Sequence, residues 1–443
     1  MRRAPHILLV TSGLGYGHTQ AASAVAGQLQ RHSPAAVVRR FDFWSLMNPG
    51  VAESIQQIYL RLVQYHPDLY ERIYHLPQHT WRRIIENAGE PPDEVFDLIE
   101  IILQNSTVRD WLESALRRYP SDLLLYPTAC ATLPAGSRSR NMGVARLALL
   151  RWIWLRLVRR MAQQILTFRP DVVISTQMVA AALVSAVKSQ RGLAFPAVAV
   201  VTDFGVHDYW IQPRTDLYCV ADESLIGRPF GTEQGSQVVA TGVPLMPDYS
   251  SPPSAAESRA ELGFDTSIPV VLILGGGLGL GVDTVARHLL TSRLPMHLIV
   301  MTGRNHRARA ALESLHDARV LICDWTDQVA TFFAAADIVV GKPGGLTVAE
   351  ALACGRPLLA TRSLRGQEGF NVEFIERHGV GKLVAEEHLA AQVETWLSDR
   401  QALASVKQRA LALGRRDGAL RVARYAIELA GSVRGEAALE ARS

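Results

Sequence analysis

Three stretches of this chain set proton-moving or hydrogen-bonding side chains beside glycine turns. The first is Thr11-Ser12-Gly13-Leu14-Gly15-Tyr16-Gly17-His18, a glycine-rich loop closed by a histidine. Histidine titrates near neutral pH, and a helix N-terminus favours its neutral form, the form a general base needs. The plain alternative is a histidine that caps the helix or bonds the loop. The second stretch runs from Val340-Gly341-Lys342-Pro343-Gly344-Gly345 through Leu346-Thr347 to Glu350. Glycines ahead of a helix start make an anion site, because the first N–H groups point outward and the dipole favours negative charge. Glu350 falls about one turn in, where a carboxylate accepts from two sugar hydroxyls better than it meets phosphate. Together these imply a nucleoside diphosphate with its ribose on Glu350; the alternative is an ordinary strand–turn–helix with a solvent-facing Glu. The third stretch, Arg365-Gly366-Gln367-Glu368-Gly369-Phe370-Asn371, gathers amide and carboxyl groups that suit the hydroxyls of a sugar.

These groups need strands to carry them. His6–Val10, Asp171–Ser175, Phe195–Thr202, Pro269–Leu274, Leu298–Met301, Val320–Cys323, Asp337–Gly341 and Pro357–Ala360 are short apolar runs, the pattern of strands buried in parallel sheets. Most are followed by a glycine or polar turn and then a helical repeat. Ligands of such sheets bind at the carboxyl ends of the strands. Asp203 and His207 leave the strand Phe195–Thr202 at that end and are expected to face the same cleft as His18. Asp203 either orients a base or acceptor hydroxyl, or caps the next turn. Pro247–Ala256 is rich in Pro and Ser and reads as a linker.

The expected fold is therefore α/β, with residues 1–246 forming one Rossmann-like domain, 247–268 a linker and 269–443 a second Rossmann-like domain. Residues from Gln401 to Ala430 are helical and either close the second domain or cross back to the first.

Length and composition bound the function. A chain of 443 residues exceeds one typical core. The formal charge is +4, carried mostly by arginine, which suits anionic lipid or a phosphorylated ligand but lacks the density of a nucleic-acid binder. Cys130, Cys219, Cys323 and Cys354 have no metal-ligand spacing and read as reduced thiols of a cytosolic protein. No signal peptide and no membrane-length apolar run is evident. From Trp44 to Trp81, aromatics including Tyr59, Tyr65, Tyr70 and Tyr74 are interleaved with arginines. This is either an interfacial membrane surface or a helical insertion packing its rings into its own domain. A long helix is expected over Val144–Thr167. The region from about Glu86 to Gly143 yields little.

Taken together, the motifs carry a resemblance. The glycine loop ending at His18, the run Val201-Thr202-Asp203-Phe204 through His207 to Trp210, and Thr241-Gly242-Val243-Pro244 all contribute to it. So do Gly275-Gly276-Gly277-Leu278-Gly279, Gly303-Arg304-Asn305, Lys342–Thr347 with Glu350, and Gly366-Gln367-Glu368 with Asn371. The chain resembles GT-B glycosyltransferases of the monogalactosyldiacylglycerol synthase and processive diacylglycerol glucosyltransferase group, relatives of the N-acetylglucosaminyltransferase that acts on the peptidoglycan lipid precursor. The resemblance implies inverting transfer of galactose or glucose from a UDP-sugar to diacylglycerol or a related lipid. His18 is then the general base, with Asp203 as its catalytic companion. The nucleotide-sugar site would comprise Gly15, Gly17, Gly276, Gly277, Arg304, Gly344, Gly345, Thr347 and Glu350, with Gln367, Glu368 and Asn371 reading the sugar. Trp44, Tyr59, His207 and Trp210 would face the acceptor and the membrane. Expected partners are a UDP-hexose, a lipid acceptor and an anionic membrane surface, at the inner face of the cell membrane; nucleic acid is not one. The chain contains no Asp-x-Asp pair, so no catalytic metal and no cofactor is expected. A UDP-sugar epimerase of the same fold and a membrane-docked UDP-sugar sensor are the competing readings.

Overall fold

The computed structural model describes residues 4–13, 16–47, 53–55, 57–59, 62, 66–76, 101, 106, 138–227, 235–361 and 368–440. It contains two six-stranded parallel sheets. The first has the order β2-β1-β3-β4-β5-β6, built from His6–Thr11 (β1), Val37–Asp42 (β2), Val172–Ser175 (β3), Ala197–Val200 (β4), Leu217–Val220 (β5) and Gln237–Ala240 (β6). The second has the order β12-β11-β10-β7-β8-β9. Its strands are Val270–Leu274 (β7), His297–Gly303 (β8), Val320–Asp324 (β9), Ile338–Gly341 (β10), Leu358–Ala360 (β11) and Gly381–Leu383 (β12). In the first sheet Leu8 lies between Arg39 and Val173; in the second Leu272 lies between Ile299 and Val339.

Successive side chains of a strand point to opposite faces, and a parallel sheet covered on both faces needs apolar residues at every position. β1 meets that demand. Ile7 and Leu9 pack with Ala22, Val25 and Leu29 of the helix Tyr16–His32. Leu8 and Val10 pack on the other face with Met161 and Ile165 of the helix Arg138–Phe168 and with Leu183 of the helix Met178–Arg191. β7 does the same: Val270 and Leu272 join Phe333 and Leu352, while Val271 and Ile273 join Val282 and Leu289. Each such side chain withdrawn from water contributes about 1.5–3 kcal/mol.

The chain order reverses direction between β1 and β3 in one sheet and between β7 and β10 in the other. Crevices outside the carboxyl ends of the strands open at such switch points. The loops that follow these four strands therefore face each other.

The segment expected as a linker is packed structure. Ser254 and Glu257 form a reciprocal cap on the helix Ala255–Glu261, and Arg259 of that helix reaches Asp337 at 2.6 Å. Lys407 meets the other oxygen of Asp337 at 2.6 Å, and the Val270 N–H donates to the same carboxylate at 2.9 Å. This buried cluster fixes two helices to the base of β7 and β10. The C-terminal helical region is broken at Gly414 into Arg400–Leu413 and Gly418–Glu440. The last helix crosses to the first sheet, where Val422, Ala423 and Ala426 pack beside Ile7 and Leu9. Among the described residues no helix is long and apolar enough to cross a membrane.

Candidate functional site

Between the two sheets lies a cavity of about 540 Å³. Its wall brings together residues far apart in sequence: Gly17 and His18 after β1, Asp203 after β4, Gly276 and Gly277 after β7, and Gly344, Gly345, Thr347 and Glu350 after β10. Glu368, Trp44, Tyr59, His207 and Trp210 line it too. Gly15 and Gln367 lie outside the described residues.

His18 sits in the first turn of the helix Tyr16–His32. The Thr176 hydroxyl donates to its backbone carbonyl at 3.0 Å, tying the loop after β1 to the end of β3. Its Nδ1 is 3.1 Å from Thr202 Oγ1. Burial pulls the imidazole pKa down to about 4, and a separate hydrogen bond with the Thr176 backbone offsets this only in part. The ring is therefore neutral around pH 7, as a base must be.

Asp203 does not orient His18. Its Oδ1 accepts from Asn371 Nδ2 at 2.9 Å, and the carboxylate also accepts from the Gly345 N–H. Burial raises its pKa, while Asn371, Lys342 and Gly345 pull the other way. The side chain against the imidazole is its neighbour Thr202.

Asn371 stands behind the cavity wall, fully buried. Its Oδ1 accepts from the Phe204 N–H at 2.7 Å, and its Nδ2 donates to Asp203 and, at 3.0 Å, to Pro343 O. Two of its four hydrogen-bonding positions join the two lobes and a third holds Pro343 within the second, so most of its amide is spent inside the protein.

The helix Gly345–Ala353 aims its N-terminus at the first lobe. Gly345 approaches so closely that a Cβ there would lie 1.9 Å from Thr202 O, so no other residue fits without moving a strand end. Gly344 has open space around its Cα and borders the cavity with Thr347. Glu350 follows on the same helix. Burial raises its pKa to about 8, opposed by the neighbouring Tyr249 hydroxyl. Tyr249 comes from the stretch read as a linker and is itself buried.

Arg304 is placed beside the cavity, its guanidinium 5.2 Å from the Tyr16 ring and 5.4 Å from that of Trp325. Those two rings meet across the lobes at 4.8 Å. The Tyr16 ring fills the space over Gly277, where a Cβ would come within 2.0 Å of it.

The described aromatics of the 44–81 region turn inward. Trp44 donates from Nε1 to Ser12 Oγ at 3.1 Å and so braces the glycine loop. Tyr59, Tyr70 and Tyr74 form a ladder, with centroids 5.9 and 6.1 Å apart, which ends against His207 at 4.4 Å. His207 Nδ1 accepts from the Tyr209 N–H at 3.0 Å, so its Nε2 carries the proton and donates to Tyr74 O at 2.5 Å. Nε2 thus holds the end of the helix Pro67–Tyr74, while Nδ1 caps the turn Asp208–Trp210.

With this geometry in view, residues 145–245 match the monogalactosyldiacylglycerol (MGDG) synthase family model, and residues 277–399 match the model of glycosyl transferases group 1. The chain resembles the MGDG synthase and diacylglycerol glucosyltransferase group. The processive diacylglycerol beta-glucosyltransferase of Bacillus pumilus is 27% identical over 56% of this chain and 66% of its own length. The chloroplastic monogalactosyldiacylglycerol synthase of Spinacia oleracea is 28% identical over 60% of this chain and 54% of its own. The match thus spans less than two thirds of either relative. The crystal structure of MurG from Acinetobacter baumannii superposes with a TM-score of 0.56, covering 96% of this chain and 99% of MurG. At 16% identity that likeness is one of fold, and the fold is GT-B: two Rossmann-like domains about a cleft.

Three cavity residues, Lys342, Tyr16 and Thr202, belong to sequence motifs that give them no role of their own. Lys342 lies inside the motif Lys342-Pro343-Gly344-Gly345, and a cation one step before an anion-binding turn was a usable signal. Tyr16 lies in the glycine loop and Thr202 beside Asp203, but nothing local in the sequence marks either.

Proposed function

We propose that this protein is an inverting glycosyltransferase that moves a hexose, galactose or glucose, from a UDP-sugar to diacylglycerol or a related membrane lipid. One observation carries the proposal: a neutral His18 shares a cavity with the N-terminus of the helix Gly345–Ala353. A base for the acceptor and an anion site for the leaving group are the two needs of this reaction.

In this reading the His18 imidazole takes the proton of the acceptor hydroxyl. Nδ1–H donates to Thr202 Oγ1, which leaves the Nε2 lone pair for the proton. The acceptor oxygen attacks the anomeric carbon from the face opposite the leaving group, and the configuration inverts. The diphosphate leaves toward the amides at Leu346 and Thr347, whose fixed dipoles meet the developing charge at no cost in reorganisation. Glu350 accepts from the ribose hydroxyls and Glu368 from the hexose. The acceptor enters along the wall of Trp44, Tyr59, Tyr74 and Trp210, which is apolar enough for a glycerolipid's upper chains.

Residues 1–246 then serve the acceptor and 269–443 the nucleotide, with 247–268 joining them and the last helix returning to the first lobe. The protein works at the surface of the membrane, attracted by its excess of arginine. Purified protein with diacylglycerol vesicles and radiolabelled UDP-galactose or UDP-glucose tests the proposal. Labelled glycolipid is the expected product. Conversion of the UDP-sugar without any acceptor would favour an epimerase, and nucleotide binding without turnover a sensor.

A further inference from the structure

A sugar nucleotide brings at least two negative charges into this cavity, yet its described wall is acidic. Asp203 and Glu368 border it beside a Glu350 that burial holds toward its neutral form, and Asp248, Asp324 and Asp327 stand at its edge. His18 and His207 are both held toward the neutral form by burial. Arg304 is engaged with the Tyr16 and Trp325 rings. Among the described residues of the wall, Lys342 is the one permanently charged cation.

Its placement is specific. Lys342 follows the last residue of β10 and precedes the turn Pro343-Gly344 that opens the helix Gly345–Ala353. The strand end fixes its Cα beside the helix N-terminus, while its four-carbon stem lets the ammonium swing. Nζ lies 2.6 Å from Glu368 Oε1. The pair is lopsided: the Glu368 side chain is 3% exposed and that of Lys342 is 35% exposed, toward the cavity. A buried carboxylate thus holds a cation that still faces open space. Burial pulls the ammonium's pKa down, but Glu368, with Tyr59 and Asp203, together outweigh it and the net shift is upward.

We propose that Lys342 is a catalytic residue that turns from Glu368 to the β-phosphate of the bound sugar nucleotide and stabilises the charge gathering on the departing diphosphate. The proposal rests on the glycosyltransferase reading of the cavity. In the transfer step the bond from the anomeric carbon to the β-phosphate oxygen breaks and its electron pair stays on that oxygen. A bond from the acceptor oxygen to the anomeric carbon forms, and the acceptor proton goes to His18. Lys342 neither gains nor loses a proton; it supplies charge where charge develops. When its ammonium turns away, Glu368 Oε1 exchanges that ion pair for a hexose hydroxyl. Seating of the diphosphate and reading of the sugar become one event, through an exchange of partners.

The test compares UDP with UMP, which lacks the β-phosphate, by titration calorimetry on the full chain. The wild type should prefer UDP. Lys342→Met should abolish that preference, leave UMP binding unchanged and lower kcat/KM by roughly 10²–10³-fold, the range for removal of one charge-stabilising donor. Lys342→Arg should keep most of the preference. Removing one member of a buried pair often destabilises the fold, whereas removing both does not. Should Lys342→Met unfold, the double variant Lys342→Met with Glu368→Gln should fold and still show no preference for UDP. A Lys342→Met protein that folds and keeps both the UDP preference and its turnover overturns the assignment. A wild type that binds neither nucleotide sinks instead the glycosyltransferase reading beneath it, and the assignment with it.

Discussion

Thr202 Oγ1 lies 3.1 Å from Nδ1 of His18, at the point where β4 ends and the first glycine loop passes into its helix. The contact decides which nitrogen faces the cavity. If the hydroxyl accepts from Nδ1–H, Nε2 is the basic atom. Thr202→Val removes the acceptor and lets the other tautomer compete. It should lower kcat about tenfold with the donor KM unchanged, and Thr202→Ser should restore it. His18→Ala should cost roughly 10²–10⁴-fold in kcat, the usual worth of a positioned base. Wild-type turnover by His18→Ala on a confirmed lipid acceptor would remove the base assignment.

The same histidine gives a pH signature. Its pKa falls from 6.5 to about 4 on folding, through burial chiefly, so between those values the unfolded chain binds more protons than the native one. Stability therefore rises with pH across that window and its His18 share is complete above about 6.5. His18→Asn should flatten the acid side of a melting-temperature profile between pH 4 and 6.5. With donor saturating, the acid limb of wild-type kcat should lie below 6.5. A limb at or above that value would mean that another group titrates.

Glu350 has the opposite sign. Burial lifts its pKa from 4.5 to about 8, so the carboxyl is largely protonated at neutral pH. The native state binds the extra proton, and stability falls as pH rises from about 4.5 through 8. Ribose hydroxyls donate best to the ionised form. Binding of a UDP-hexose should therefore release a proton and tighten as pH rises toward 8. Calorimetry in two buffers of different ionisation enthalpy measures this directly. Glu350→Gln should melt higher than wild type at pH 9 while binding the nucleotide about tenfold more weakly, the loss of roughly one good hydrogen bond. Affinity that stays flat from pH 6 to 9 would contradict the ribose role.

How far the sequence exposed this site follows from what local patterns encode. The second lobe was legible because a buried strand, a glycine turn and a helix start are each written in consecutive residues, as in Val340–Glu350. The pairing of His18 with Thr202 was not legible. Neighbours on an extended chain point to opposite sides, and no periodicity distinguishes Thr202 from Asp203 at a strand exit. Asn371 was read as a sugar ligand because amides suit hydroxyls; that its amide is spent between Phe204, Asp203 and Pro343 depends on the other lobe, which no local pattern describes. The same holds for Tyr249, whose Pro- and Ser-rich surroundings hid a buried ring. The rings at 59, 70 and 74 carried no mark of which side they face.

Asn371 itself yields a stability prediction. Asn371→Ala would leave the Phe204 N–H and the Pro343 carbonyl unpartnered in a buried interface and strip one donor from Asp203. The cost should be about 2–4 kcal/mol, since each orphaned buried group costs about 1–3 kcal/mol and part is recovered by relaxation. Chemical unfolding of the full chain measures it. Because the amide bridges both lobes, nucleotide affinity should weaken along with stability. A variant that loses neither would show that the lobes are held together elsewhere.

The last prediction concerns the tyrosine ladder. His207 holds the carbonyl of Tyr74 through Nε2 and the N–H of Tyr209 through Nδ1, and burial keeps the ring toward its neutral form. A proton on Nδ1 would have nowhere to go but against the Tyr209 N–H. His207→Ala removes both bonds and the ring that Tyr74 packs on, so the helix Pro67–Tyr74 loses its anchor to the exit of β4. Neither of these two hydrogen bonds involves the nucleotide lobe. The expected result is a higher KM for the lipid acceptor and faster proteolytic cutting between residues 66 and 76, with UDP affinity unchanged. If UDP affinity drops as far as acceptor affinity does, the ladder belongs to the donor half of the cavity, and Tyr70 and Tyr74, which both feel the Glu368 carboxylate, become the residues to test against the hexose.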